Sequence, residues 1–335
     1  VSRAFADPAG FVGTASNGSM VLRPADGQQL LIAGADFASL LETVGTLKAQ
    51  VRVLTQQLAD RQCMVTAETT AITGLSGSAK WQSGVLAGNG KIYGIPVNSE
   101  SVLIIDPTTN AADTTTIANL TSMGDKWVGG VLAGNGKIYG IPYTSASVLI
   151  IDPKSNTADT TTITGLNGAD KWAGGVLAGN GNIYGIPVNS ASVLIIDTTT
   201  NTADTTTIVG LSGNAKWVGG VLAGNGKIYG IPHDSASVLI IDTTTDTADT
   251  TTIVGLSGDD KWVGGVLAGN GKIYGIPHDS ASVLIIDPTT NTADITTITS
   301  LSGTSKWHGG VLAGNGNIYG IPRDSTSVLI IDPTT

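Results

Sequence analysis

The stretch Lys126-Trp127-Val128-Gly129-Gly130-Val131-Leu132-Ala133-Gly134-Asn135-Gly136-Lys137-Ile138-Tyr139-Gly140-Ile141-Pro142 decides the fold. Its apolar, glycine-rich opening runs into Gly134-Asn135-Gly136, residues that tolerate positive φ and so close a hairpin. The return segment, Lys137 to Ile141, is stopped by Pro142. Downstream, Ser147 to Ile151 predicts a third strand with apolar side chains on both faces, as in a strand lying between two layers. Thr160-Thr161-Thr162-Ile163 predicts a fourth, outer strand, polar towards water and stopped by Gly165. No segment of this unit carries a helical period.

The unit recurs. Trp81, Trp127, Trp172, Trp217, Trp262 and Trp307 are spaced by 46, 45, 45, 45 and 45 residues, with nearly the same text around each. Residues 66–335 number 270, six periods of 45. Four short strands per unit of this length stack radially, which predicts an all-β six-bladed β-propeller. The glycine-rich first strand suits the crowded axis. Thr69-Thr70-Ala71-Ile72-Thr73 repeats fourth-strand text ahead of the first unit, whereas the last unit runs to its third strand. Residues 69–73 are therefore expected to complete the blade built from 307–331 and close the ring.

The text Lys137-Ile138-Tyr139-Gly140-Ile141-Pro142, then Ser147 to Pro153, then Ser155 to Asp159, resembles the YVTN-type, kelch-like propeller repeat of surface and extracellular proteins. That resemblance implies recognition or scaffolding outside the cell. The chain has Tyr-Gly-Ile-Pro where the repeat tends to have Tyr-Val-x-Asn, so the resemblance carries the fold and no residue's role.

Composition narrows the function. The 335 residues include 41% hydrophobic ones, enough for a large core, and only 13% charged ones. Net charge is −9, which argues against nucleic acid as a partner. The apolar runs are a handful of residues long, far short of a membrane span. One cysteine excludes a disulfide scaffold and a Cys-based zinc site. The start at Val1 fits a mature secreted protein or a trimmed chain.

Residues 1–65 hold five basic and five acidic residues, so the whole net charge lies on 66–335. Within 1–34, the apolar runs Ser19–Leu22 and Leu30–Ile32 flank Ala25-Asp26-Gly27 and predict a small hairpin for attachment or oligomerisation. Over 35–62, Phe37, Leu40, Val44, Leu47, Val51, Leu54 and Leu58 alternate in steps of 3 and 4. That heptad predicts a coiled-coil helix and a homo-oligomer, with three chains preferred over two. An amphipathic helix packed on the propeller is the alternative. Cys63, between the two regions, is either a free thiol or an interchain bridge. Asn17-Gly18-Ser19 and Asn119-Leu120-Thr121 are glycosylation sequons.

Chemistry is sparse. Each Trp either stacks a sugar or packs between blades, and packing is preferred. The Lys before it is then a solvated rim charge. Asp106 and its five counterparts suggest Asx turns rather than calcium ligands. His233, His278 and His308 lack zinc-site spacing, and no catalytic constellation stands out. Neither metal nor cofactor is expected.

The informative positions are those at which units differ. The pair after Ile-Pro varies, and so does the pair before Lys-Trp; both lie in loops on one face of the disk. Tyr143, Asn189, His233, Asp234, His278, Asp279, Arg323 and Asp324 are thus the candidate contact residues. The sequence predicts a non-enzymatic extracellular structural or interaction protein, a subunit of a fibre, appendage or surface assembly. It would pair with itself and with other surface components; a multivalent lectin-like glycan binder is the alternative.

Overall fold

In the computed structural model the described residues are 10–14, 20–24, 30–32, 43–53 and 72–334. The chain divides into two compact units, Val1–Thr69 and Thr70–Thr335.

In the first unit, Gly10–Thr14, Met20–Pro24 and Leu30–Ile32 form an antiparallel three-stranded sheet in chain order. The second and third strands match the predicted apolar runs; the first was not anticipated. Residues 43–53 are helical, and Val44, Leu47 and Val51 are exposed along it. Phe37, Leu40, Leu54 and Leu58 lie outside the described residues, as do Asn17 and Cys63. Among the described residues the helix spans about 16 Å, fewer than two heptads, so the coiled-coil stalk expected over 35–62 is not supported.

The second unit is the six-bladed propeller. Blade 2 shows the pattern: Trp127–Leu132, Ile138–Pro142, Leu149–Asp152 and Thr157–Asp159 pair antiparallel in sequence order from axis to rim. Blades 1, 3, 4 and 5 repeat it, and the last blade comprises Trp307–Leu312, Ile318–Pro322 and Leu329–Ile331. The outer strand is thus Thr157–Asp159 and not Thr160–Ile163. Asp159 stops it by accepting the backbone N–H groups of Thr161 and Thr162 at 2.6 and 3.1 Å, which folds the threonines into a capped turn. By the same alignment, residues 69–73 match that turn rather than a strand. Residues 69–71, and with them the ring closure expected of 69–73, lie outside the described residues.

Innermost strands touch almost backbone to backbone. Register shifts between Trp127 and Gly130, and Gly129 adopts φ +87°. A Cβ on Gly129 would sit 2.9 Å from Gly174 Cα of the next blade. Between neighbouring blades lie five separate apolar cores. In one, Tyr139, Ile141, Val148 and Ile150 of blade 2 meet Trp172, Ile183 and Leu194 of blade 3. Fully burying side chains of this size stabilises the fold by roughly 1.5–3 kcal/mol each. The corresponding Ile321, Val328 and Ile330 of blade 6 are exposed, as is Leu86 of blade 1.

Candidate functional site

Five of the six tryptophans lock blades together. Trp127, Trp172, Trp217, Trp262 and Trp307 are buried, and each indole N–H donates to a serine carbonyl 20 residues on, as Trp127 does to Ser147 O at 2.7 Å. A cleft of about 350 Å³ borders Trp172, but the indole is only 3% exposed and offers no face to a sugar.

Five of the six lysines, Lys126, Lys171, Lys216, Lys261 and Lys306, are buried rather than rim charges. Lys126 is fully buried, and Lys171 Nζ donates to Tyr143 O, Ser145 O and Gly168 O at 2.9, 3.0 and 2.7 Å. Each ammonium also lies 5.6–5.9 Å from the adjacent indole centroid. Burial pulls the pKa of Lys171 and Lys216 down to about 8. The Asp residues closing the third strands do form Asx turns, as Asp106 Oδ1 accepts Thr108 N at 2.9 Å.

The uniform face is a run of latches. Asn135 Nδ2 donates to Tyr139 Oη at 2.9 Å and to Thr198 O of the next blade at 2.7 Å, and Tyr139 Oη donates to Asn201 Oδ1 at 2.6 Å. The same bonds join blades 1 to 2, 3 to 4 and 4 to 5.

On the opposite face, the structure divides the candidate residues into two groups. The second member of most variable pairs is a brace. Asn189, Asp234 and Asp279 each accept, through Oδ1, the backbone N–H of Ala215, Asp260 and Ser305 in the following loop, at 2.7, 2.8 and 2.5 Å. Those loop residues adopt φ between +44° and +49°, conformations that need such support. Asp324 is exposed and donates its backbone N–H to Ser305 O.

The first members, by contrast, converge. Tyr143, His233, His278 and Arg323 line a cavity of about 510 Å³ at the channel mouth, together with Asp125, Asp170, Asp260 and His308. His308 and its counterparts Gln82, Val128, Ala173, Val218 and Val263 hold the position after each Trp, which also lines the cavity. That position varies between units too, and this variation was the overlooked signal.

Blades 4–6 build a nitrogen-rich wall. The His233 and His278 rings are 6.1 Å apart, and those of His278 and His308 are 6.5 Å apart. Arg323 Nη1 lies 3.0 Å from His278 Nε2. A guanidinium only donates, so Nε2 accepts and the His278 proton sits on Nδ1. Asp279 Oδ1 is 3.0 Å from that Nδ1 without hydrogen-bond alignment, which leaves a buried proton unpartnered. His308 has open solvent contact, yet the concave site hydrates its cation poorly. Its pKa is lowered first by this desolvation and then by Arg323, His278 and His233.

His233 Nδ1 is 2.8 Å from Asp234 Oδ1, and its Nε2 is 3.2 Å from Asp260 Oδ1. Among the described residues, these three bring one ligand atom each within 4.8 Å of one another, a group that could hold a cation. Sequence spacing did not show it, because the loops of two blades contribute. Across the mouth, blades 2 and 3 supply Asp125, Tyr143 and Asp170. Burial, and then the charges of Asp170 and Asp125, raise the Tyr143 pKa.

No protein-family model matches the chain, and no curated protein matches it. The YVTN-type and kelch-like resemblance therefore has no family-level support. Solved structures do match. The virginiamycin B lyase of Staphylococcus aureus is 9% identical, with 78% of this chain and 86% of that chain covered and a TM-score of 0.60. The hydrazine synthase of Kuenenia stuttgartiensis is 15% identical, with 79% and 80% covered and a TM-score of 0.56. The extracellular domain of a one-component system from B. thetaiotaomicron is 9% identical, with 97% of this chain and 41% of that chain covered and a TM-score of 0.55. These neighbours overturn the expectation that the chain is not an enzyme: the same fold carries lyase and synthase activities, so it excludes none and assigns none. Among the described residues no helix is long and apolar enough to cross a membrane. The chain is a six-bladed β-propeller similar to enzymes and extracellular sensor domains alike.

Proposed function

We propose that this chain is an extracellular interaction protein that takes up a small polar ligand at the mouth of its propeller. One observation carries the reading. In a ring of nearly identical blades, the side chains that differ gather around one cavity, and they are histidines, carboxylates, a tyrosine and an arginine. The accessible His308 also supplies the mouth with an imidazole for proton transfer, so turnover belongs in the same assay. Extracellular location is supported by neighbours that are themselves extracellular domains.

The test is a thermal-shift screen of small polar metabolites and oligosaccharides against wild type and a His308→Ala/Arg323→Ala double variant. The expected result is a stabilising ligand whose effect vanishes in the double variant while the unliganded melting temperature is unchanged. Ligands that stabilise both proteins equally would remove the mouth as the site.

A second role rests on the exposed apolar residues Val44, Leu47 and Val51 of the helix. They favour self-association, as a dimer or trimer, through the N-terminal unit of a fibre or surface assembly.

A further inference from the structure

The mouth has a chemical pattern beyond mere polarity. Its acidic side is Asp125 and Asp170 flanking Tyr143, from blades 2 and 3. Its basic side is Arg323 and His308, from blade 6, three positions further round the ring from blade 3. Among six blades, that sets Asp170 of blade 3 opposite them, with Asp125 and Tyr143 of blade 2 beside it. The two walls do not neutralise each other: among the described residues Arg323 has a histidine neighbour and no carboxylate within ion-pair distance. Asp260 faces His233 instead, at 3.2 Å. Between the walls, the position after Trp supplies Val128, Ala173, Val218 and Val263, an apolar lining from four consecutive blades, with Gln82 of blade 1 as its polar counterpart.

An anion alone would meet two carboxylates, and a cation alone would meet an unpaired guanidinium. A molecule with both charges and an apolar body satisfies all three surfaces. Resting on the mouth reading above, we infer that the ligand is a small zwitterion with an apolar side chain, of the α-amino acid or short peptide class. Its ammonium lies against Asp125, Asp170 and the Tyr143 ring, and its carboxylate against Arg323 and His308. Its side chain covers the valine lining. The cavity, about 510 Å³, is of the size that holds such molecules.

The test uses a matched set on the full chain by calorimetry: L-leucine, L-alanyl-L-leucine, isopentylamine and 4-methylpentanoate. The last two are leucine lacking the carboxylate and lacking the ammonium. One or both zwitterions should bind, and loss of either charged group should weaken binding roughly tenfold or more. Arg323→Gln should abolish the preference for leucine over isopentylamine, whereas Arg323→Lys should keep part of it. Asp125→Asn/Asp170→Asn should abolish the preference for leucine over 4-methylpentanoate. Binding of free leucine but not the dipeptide assigns an amino acid, and the reverse assigns a peptide end. Isopentylamine or 4-methylpentanoate binding as tightly as leucine overturns the zwitterion. So does the absence of binding by all four while another screened ligand is lost in the His308→Ala/Arg323→Ala protein; the mouth then stands without it. If no screened ligand distinguishes that variant from wild type, both readings fall.

Discussion

Lysine behaviour at the blade interfaces reverses what its charge suggests. Lys216 is buried, and its Nζ donates to Val188 O, Ser190 O and Gly213 O at 2.8, 2.9 and 2.8 Å, joining one loop to the next. Lys216→Met should leave these carbonyls unpaired and cost roughly 2–4 kcal/mol, read from urea unfolding. The pH dependence has a definite sign. With a folded pKa of about 8 for Lys171 and Lys216, against about 10.4 in an unfolded chain, the unfolded state holds more protons between these values. The burial penalty is fully present below pH 8, so stability contributed by these residues should rise as pH climbs from 8 to about 10.4. Carboxylates set the acid limit. Thr side-chain and backbone donors hold Asp159, Asp204, Asp249 and Asp294 at about 2. Their contribution is present above about pH 4 and should be lost as pH falls from there towards 2, a loss that Thr→Val changes at positions 162, 207, 252 and 297 should reduce.

Strands were legible in the sequence where their pattern is physical, and illegible where it is shared with turns. Trp127–Leu132, Ile138–Pro142 and Leu149–Asp152 announced themselves through apolar text punctuated by Gly-Asn-Gly, Pro142 and Asp152. The outer strand was displaced by three residues, because threonine serves a β-strand and an Asp-capped turn equally well.

Over the whole molecule, what the sequence could not separate was variation that braces from variation that binds. Both kinds sit side by side after each Ile-Pro, and only the positions of Asn189, Asp234 and Asp279 against the next loop reveal the brace. In hindsight the clue was chemical: at this position Asn98, Asn189, Asp234, Asp279 and Asp324 are all Asx, with Thr144 the exception. Asn189→Ala should therefore lower stability by roughly 1 kcal/mol in urea unfolding without changing ligand affinity, whereas His308→Ala should do the opposite. For the N-terminal unit, the exposed helix predicts that Leu47→Asp shifts the molar mass by light scattering towards one chain.

The five apolar cores between blades are written in almost the same residues, from Trp127 against blade 1 to Trp307 against blade 5. Any blade's side would thus accept almost any other's. A blade exchanged between two chains would therefore find an almost equivalent seat. The blades differ visibly at the mouth, so such an exchange would show as a change in the lining of that cavity.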